Sequence, residues 1–276
     1  MYGGGRVAVQ LPQAGHDRPD RRGDVGRFRV TGTAGEREAQ LRAALEAVRA
    51  RVDRACVSAG RDPGEVRLLA VTKTFPASDV ALLSDLGVRD FAENKDQEAG
   101  AKAAELASLR PDADVRWHMV GRLQRNKART VVRWADEVQS VDSVKVATAL
   151  DRAVATARER GSRTRSLDVL VQVSLDDAPH RGGCPQEELP ELVSKITQMN
   201  ELRVRGVMTV APYGVNHDAT FARFARIFRQ LREDYPDLDE VSAGMSGDLE
   251  SAVAHGSTCV RVGTALLGGR ELASRE

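Results

Sequence analysis

Short apolar runs alternate with longer amphipathic stretches eight times along this 276-residue chain. Such alternation predicts the strands of a parallel sheet joined by helical crossovers. The predicted strands are 67–72, 89–92, 115–120, 137–141, 168–174, 205–210, 240–243 and 259–262. Eight such units in roughly 240 residues match the size of a single (β/α)8 barrel. The rival is an open doubly wound sheet, but no glycine-rich dinucleotide loop follows the first predicted strand.

Apolar residues recur at spacings of three and four between the predicted strands, which predicts amphipathic helices. One such helix, residues 36–59, precedes the first strand. The others are predicted at 77–86, 95–109, 123–135, 143–160, 185–199, 219–233 and 246–254. The expected fold class is therefore α/β, a single (β/α)8 TIM barrel with an extra N-terminal helix.

Residues 1–33 differ in composition from the rest of the chain. They contain three consecutive glycines, two prolines and scattered arginines, with few large apolar residues. Such a segment cannot bury enough apolar area to offset the entropy of ordering it. We therefore expect a disordered tail over 1–33 and one barrel domain over 34–276. The tail has no apolar segment of the kind that a secretory signal carries.

The composition argues against several classes of function. A formal net charge of +1 gives no general case for nucleic acid or an anionic membrane as a partner. Three widely spaced cysteines argue against a disulfide framework and fit a reducing cytosol. No cluster of His and Cys has the spacing of a zinc site, and no apolar run approaches a membrane span. We therefore expect a cytoplasmic, metal-free protein, and a monomer because no long apolar surface is visible.

A lysine follows the first predicted strand, at the end where sheets and barrels of this class hold their ligands. The strand ends in Val71-Thr72, and Lys73 comes next. Only six of the 41 basic residues are lysines, and arginine cannot replace an amine that must lose its proton and attack a carbonyl. Lys73 is therefore a candidate Schiff-base lysine. The alternative is a strand-end lysine that extends its amine into solvent.

Glycine-containing loops follow the seventh and eighth predicted strands. The first runs Gly244-Met245-Ser246-Gly247 and the second is Gly263-Thr264. Backbone N–H groups at such loop–helix junctions bind phosphate, and a phosphate site after strands seven and eight recurs in barrels. The alternative is that Ser246 caps a helix and the glycines are turn residues. Two such loops at adjacent strands favour the phosphate site.

Arg261 lies inside the apolar eighth strand, on the face shared with Cys259 and Gly263. A charge in that position needs a partner. One interpretation is a salt bridge to a strand-end acid such as Glu93 or Asp142. The other is a hydrogen bond to the ring nitrogen of pyridoxal phosphate (PLP), for which arginine is a usual partner. A lysine, phosphate loops and this arginine together describe PLP, whereas a barrel for a simple phosphorylated ligand has no need of Arg261.

The chain resembles the PLP-binding proteins of PLP homeostasis, whose single barrel is similar to the N-terminal domain of bacterial alanine racemase. The matching segments are 70–73 (AVTK), 93–94 (EN), 97–98 (QE), 117–127 (WHMVGRLQRNK), 141–143 (VDS), 205–208 (RGVM), 244–250 (GMSGDLE) and 256–264 (GSTCVRVGT). They cover about residues 36–270. The chain departs from the family at Ala92, where a glycine is frequent, and at 180–183, where a lysine-x-glycine is usual.

The resemblance implies roles for individual residues. It implies that Lys73 holds PLP as a Schiff base, that Arg261 meets the ring nitrogen and that Asn94 lies close to the cofactor. The other cofactor-binding candidates, which surround the phosphate, are Met245, Ser246, Gly247, Gly263 and Thr264. The resemblance also implies a protein of intracellular PLP homeostasis, which hands PLP to apo-enzymes or buffers this reactive aldehyde.

We expect a carrier without strong catalytic activity rather than an enzyme. In alanine racemase the base opposite the lysine is a tyrosine from a second domain, which the sequence does not show here. Arg261 stays protonated and leaves the ring nitrogen unprotonated, which weakens the cofactor as an electron sink. The alternative is a PLP-dependent amino-acid racemase or lyase that uses Lys73 as one base.

Two features after the third predicted strand have simpler interpretations. His118 is interpreted as a hydrogen-bonded residue of the barrel mouth, with an acid/base group near the cofactor as the alternative. The basic residues Arg122, Arg125, Lys127 and Arg129 are interpreted as a solvated helix start, with a surface for an acidic partner as the alternative.

Overall fold

The computed structural model describes residue 1, residues 33–176 and residues 182–269. In those residues eight parallel strands close into a barrel in chain order. They are β1 (Arg67–Val71), β2 (Asp90–Glu93), β3 (Arg116–Met119), β4 (Glu137–Val141), β5 (Leu167–Gln172), β6 (Leu202–Met208), β7 (Glu240–Met245) and β8 (Cys259–Val262). The predicted (β/α)8 barrel is confirmed. The expected disordered tail lies outside the described residues, apart from its two end residues, and so do His180 and Arg181.

Helices follow the strands on the outside of the barrel. The α-helices are α1 (Ala34–Ser58), α2 (Ala77–Asp85), α3 (Asp96–Leu109), α4 (Ala128–Val131), α5 (Val144–Glu159), α6 (Leu189–Thr197), α7 (His217–Asp234), α8 (Leu249–Ala254) and α9 (Thr264–Leu267). Short 3-10 turns lie at Pro63–Glu65, Arg125–Lys127 and Gln186–Glu188. None of these helices is long and apolar enough to cross a bilayer.

Helix α1 is the predicted addition before the first strand. It begins with a reciprocal cap, in which the Glu36 N–H donates to Thr33 Oγ1 (3.3 Å) and the Thr33 N–H donates to the Glu36 carboxylate (2.7 Å). Its apolar stripe, which includes Leu41, Leu45 and Val48, is buried against the barrel. Burial of that stripe, more than helix propensity, holds α1 in place.

The structure differs from the sequence prediction mainly after β3. A helix was expected over 123–135, but the chain forms the 3-10 turn Arg125–Lys127 and the single helical turn α4. Leu123, Ala128 and Val131 are still buried. Apolar spacing therefore identified the inward-facing residues correctly but did not distinguish a helix from two short turns.

The first and last strands pair to close the barrel. Leu69 is the register partner of Arg261, and Ala70 is the partner of Val262. Inside the barrel, Leu69 and Cys259 pack together with Ala92 of β2. The loops that follow β1 and β8 are therefore neighbours at the mouth, the carboxyl end of the strands.

Candidate functional site

The loops after β1 and β8 touch at the barrel mouth. A Cβ atom added to Gly263 would lie 3.3 Å from the Val71 carbonyl oxygen, so the two backbones are in close contact. Lys73 stands two residues beyond Val71 and is exposed. Within the described part of the chain its amine has no hydrogen-bond or ion-pair partner. A primary amine at this position is accessible to a ligand that enters the mouth.

Lys73 sits at the corner of a tight turn. The Phe75 N–H donates to the Thr72 carbonyl oxygen (3.0 Å), and Thr74 between them has φ +70°, a conformation that glycine usually supplies. Such a conformation costs of order 1–3 kcal/mol in a residue other than glycine and persists only where the surroundings enforce it. Contacts from residues outside the turn must therefore hold Thr74 in this conformation.

A buried ion pair holds this turn. Lys102 of α3 donates from Nζ to the Thr72 carbonyl oxygen (2.7 Å) and pairs with Glu93 at the end of β2. The Thr72 hydroxyl also donates to Glu93 Oε1 (2.7 Å). Sequence reasoning missed Lys102, although its spacing from Ala99 and Leu106 places it on the apolar face of α3, where a lysine requires a partner.

The loop after β7 offers backbone donors. The N–H groups of Ser246 and Gly247 have no acceptor among the described residues. Ser246 also connects two loops, because its Oγ accepts from the Ala265 N–H of α9 (3.4 Å) and its carbonyl oxygen accepts from Arg51 of α1 (2.7 Å). Helix α8 begins only at Leu249, so Ser246 is not its cap. The capping alternative is therefore wrong for α8, although the Ser246 hydroxyl accepts from an N–H in the first turn of α9.

Arg261 is buried, with 4% of its surface exposed, and points across the barrel interior. Its Nη1 donates to Ser242 Oγ (2.7 Å) and its Nη2 to the Thr209 carbonyl oxygen (2.6 Å). Glu93 is occupied by Lys102, and none of the described carboxylates forms an ion pair with Arg261. The salt-bridge interpretation is therefore wrong. Burial lowers the pKa of this guanidinium, but arginine starts so high that it stays charged.

The remaining candidates lie around these groups. Met245 is the register partner of Arg261 and donates its N–H to Asp248 Oδ1 (2.6 Å). Thr264 opens α9 directly after Gly263 and is exposed, as is Gly247. The mouth thus combines an accessible amine, unpaired backbone donors and a buried cation that has only neutral acceptors.

Asn94 follows β2 and lines an open cavity of about 900 Å³ between the segments that follow β2, β3 and β4. The other candidate cofactor residues do not line this cavity. Cationic side chains that follow three successive strands line the same cavity, among them Lys95, Arg122, Lys127 and Lys145 of α5. The interpretation of this basic run as a helix start is only partly correct, because Arg125–Lys127 is a 3-10 turn. None of the described residues forms a cluster that could hold a metal ion.

His118 is hydrogen-bonded, as expected, but it does not lie in the mouth. Its Nε2 meets Asp90 Oδ1 (2.8 Å) and its Nδ1 meets Glu137 Oε1 (3.0 Å). Asp90 and Glu137 are the first residues of β2 and β4, so the histidine ring faces the opposite end of the barrel. His118 therefore does not face a ligand at the mouth.

Comparison with known proteins supports the same fold. The family model for the alanine racemase N-terminal domain matches residues 43–271. The pyridoxal phosphate homeostasis protein of Mycobacterium leprae is 44% identical over 248 residues, which span 87% of this chain and 96% of the relative. The chain belongs to the pyridoxal phosphate homeostasis family, whose barrel is of the alanine racemase N-terminal type.

Solved structures agree with this family assignment. PipY of Synechococcus elongatus, solved with PLP bound, has a TM-score of 0.71 and 36% identity, and the match covers 83% of this chain and 100% of PipY. An alanine racemase of Clostridium difficile has a TM-score of 0.60 at 16% identity, covering 86% of this chain and 59% of the racemase. That second likeness shows the fold alone.

Proposed function

We propose that this protein binds PLP at the barrel mouth, covalently through Lys73, and serves intracellular PLP homeostasis. The observation that carries the proposal is Arg261, a buried cation whose hydrogen bonds to the described residues go only to neutral oxygens. Its strand is paired with the strand that leads to Lys73. PLP-bound PipY and the homeostasis proteins that this chain resembles support the same ligand.

The donor set fits the chemistry of PLP. Bound PLP supplies an aldehyde, which condenses with an amine and loses water, and a pyridine ring that can accept electrons. Lys73 offers the amine. Ser246 and Gly247 offer backbone N–H groups for the phosphate that have no acceptor among the described residues. Gly263, Thr264 and Met245 lie around them, although the Met245 N–H is already used by Asp248. Arg261 offers its charge to the ring nitrogen, and Asn94 follows β2 at the carboxyl end of the strands.

The test is to locate the modified lysine. Purified protein is incubated with PLP, reduced with borohydride and analysed by peptide mass spectrometry. We expect modification of Lys73 and a visible absorbance band that reduction abolishes. Lys73→Ala and Lys73→Arg should both lose the band, because a guanidinium cannot condense with the aldehyde. Modification of Lys102 or Lys95 instead, or a band that survives in Lys73→Ala, would refute the assignment.

We propose a carrier role without strong catalysis. Arg261 stays protonated and does not transfer its proton to the ring nitrogen. The protein would therefore hold PLP with an unprotonated ring, which is a weaker electron sink. Tyr213 is 91% exposed and Tyr235 precedes β7, at the opposite end of the barrel, so neither described tyrosine is a shielded second base. Solvent deuterium exchange at the α-carbon of alanine tests this. We expect slow exchange, and rapid exchange that depends on Lys73 would favour the racemase or lyase alternative.

The cellular setting and partners are part of the same proposal. All three cysteines are free and buried, which fits a reducing cytoplasm. We propose a monomer that releases PLP to apo-enzymes. Light scattering tests the mass. Delivery is tested by adding the PLP-loaded protein to an apo-enzyme. We expect faster reactivation than with the Lys73→Ala variant mixed with the same amount of PLP.

A further inference from the structure

A chain of buried hydrogen bonds leads away from Arg261 through the barrel interior. Ser242 Oγ accepts from Arg261 Nη1 (2.7 Å) and donates to Gln139 Oε1 (2.7 Å). Gln139 Nε2 donates to Glu137 Oε1 (2.8 Å). Ser242, Gln139 and Glu137 are each 0% exposed, so water does not compete for these contacts.

The direction of this chain is dictated by its first member. A guanidinium can only donate, so the Ser242 oxygen must accept and its hydroxyl hydrogen is free for Gln139. The Gln139 amide is then fixed, with its oxygen toward Ser242 and its nitrogen toward Glu137. Every link presents an acceptor toward Arg261 and a donor toward the carboxylate.

The chain ends on a charged pair at the other end of the barrel. His118 meets the carboxylates of Glu137 and Asp90, so both ring nitrogens act as donors. Burial alone would raise the pKa of Glu137, but the hydrogen bond from His118 and the nearby positive charges lower it to about 2. Glu137 therefore stays ionised and anchors the chain.

Other charged groups face this pair from the neighbouring strands. Arg67 of β1 lies 3.8 Å from Glu137 and 2.8 Å from Glu240 of β7. Arg116 of β3 lies 3.6 Å from Glu137 Oε2, an oxygen without a hydrogen bond in the described structure. The positive charges of Arg67 and Arg116 help to keep the Glu137 carboxylate ionised and in place.

We propose that Ser242 and Gln139 are positioning residues for Arg261. They transmit the fixed geometry of the Glu137–His118 pair to the guanidinium and hold its charge toward the ring nitrogen of PLP. The inference rests on the proposed function for the identity of the ligand only. The alternative is that the chain merely fills the barrel with satisfied polar groups.

The positioning role predicts specific effects of breaking a link. In Ser242→Ala the guanidinium loses one of its two acceptors, and in Gln139→Leu the Ser242 hydroxyl is no longer held in place. In both variants PLP should bind about tenfold more weakly. The pH midpoint of the visible band should also rise by about half a unit. A guanidinium that has moved away from the ring opposes protonation elsewhere on the cofactor less strongly. Ser257→Ala is the matched control. Ser257 is 1% exposed, and in the described structure its hydroxyl donates to backbone carbonyls of β7 and β8 and to no side chain of the Arg261 chain.

A measurement without PLP separates this inference from the proposed function. In ¹⁵N NMR of the PLP-free protein, we expect slowly exchanging guanidinium protons for Arg261. Their exchange should be at least about tenfold faster in Ser242→Ala and Gln139→Leu, and unchanged in Ser257→Ala. If the variants show these differences but the wild-type protein binds no PLP, the proposed ligand is wrong while the positioning role of Ser242 and Gln139 is supported. Unchanged exchange in both variants, or losses equal to those in Ser257→Ala, would overturn the inference.

Discussion

Gly121 stands where a side chain cannot be accommodated. A Cβ atom at this position would lie 2.2 Å from the Asn94 carbonyl oxygen and 2.7 Å from its Cα. The loop after β3 therefore rests directly on the backbone of the loop after β2. Because Asn94 follows β2 at the carboxyl end of the strands, the conformation of one candidate cofactor residue depends on the absence of a side chain at another position.

Gly121→Ala is expected to displace Asn94. The added methyl group forces the two backbones apart, which we expect to cost about 1–3 kcal/mol of stability and to weaken PLP binding. Thermal unfolding and equilibrium titration with PLP measure the two effects. In the control, Gly35→Ala, the new methyl group meets nothing within 4 Å and lies in helix α1, so stability should stay constant or rise slightly. Normal PLP affinity in Gly121→Ala would show that Asn94 does not contribute.

The sequence singled out individual residues by type and position, but it could not assign their contacts. Lys73 and Arg261 were identified because a lysine and an arginine are unusual next to buried strands. The partners of Arg261 were not foreseen, since Glu93 is used by Lys102 and the acceptors are Ser242 of β7 and Thr209, directly after β6. Contacts between strands distant in sequence depend on register and packing, which residue type does not reveal.

At the level of elements, helix α3 determines the shape of the turn after β1. Lys102 reaches from α3 to the Thr72 carbonyl oxygen and to Glu93, which is 0% exposed. The second oxygen of Glu93 has no hydrogen-bond partner in the described structure. Removal of the lysine would leave that carboxylate buried and uncompensated.

Lys102→Met is therefore expected to destabilise the protein by about 3–5 kcal/mol and to reduce modification of Lys73 by PLP. Chemical denaturation and borohydride trapping measure these effects. Lys195→Met, which removes an exposed ion pair with Glu191, should change stability by less than about 0.5 kcal/mol. Replacement of both partners, in Lys102→Met with Glu93→Leu, should recover part of the lost stability but not the turn. Trapping at the wild-type rate in Lys102→Met would contradict the role given to this helix.

Helix α1 supports the loop after β7. Arg51 donates to the Ser246 carbonyl oxygen (2.7 Å) and pairs with Glu250. In Arg51→Met we expect PLP to bind several-fold more weakly while stability falls by only about 0.5–1 kcal/mol, because the ion pair is partly exposed. Arg42→Met on the same helix loses only an exposed pair with Glu38 and should bind PLP normally. Equal affinities in the two variants would show that α1 has no part in the site.

Sequence periodicity recovered most elements but not all their boundaries. Helices such as α5 and α7, with a continuous apolar face, were predicted to within a few residues. The stretch after β3 was not, because residues in a 3-10 turn and in one α-helical turn can bury the same side chains. Likewise, β6 begins at Leu202 rather than at 205, since alternation is weak where the strand is partly exposed.

For the whole molecule, the charges at the N-terminal ends of the strands should govern the pH dependence of stability. The pKa of His118 is raised, because hydrogen bonds to Asp90 and Glu137 outweigh the opposing effect of burial. The pKa of Glu137 is lowered to about 2 from an ordinary value of 4.5. The histidine therefore stabilises the fold below about pH 6.5 and loses this contribution as the pH rises through its raised pKa. The glutamate stabilises the fold above about pH 4.5 and loses its contribution as the pH falls toward 2.

Urea unfolding across this pH range tests the expected maximum. The free energy of unfolding should be greatest between about pH 4.5 and 6.5 with respect to these two groups. It should decline on the acid side by about 3 kcal/mol through Glu137. In Glu137→Gln the acid decline should be shallower and the maximum lower. A wild-type curve that rises steadily from pH 5 to pH 9 would be incompatible with a charged His118.

The pairing of β1 with β8, which closes the barrel, has a consequence for the timing of folding. Among the eight described strands, the strand before Lys73 is the first to be synthesised, and its hydrogen-bonded neighbour, which carries Arg261, is the last. A nascent polypeptide that still lacks β8 has Lys73 but neither Arg261 nor the loop at Gly263. Arg261 and Lys73 would therefore meet the same PLP molecule only after the barrel has closed, and a product truncated before β8 would leave the cofactor free for other proteins.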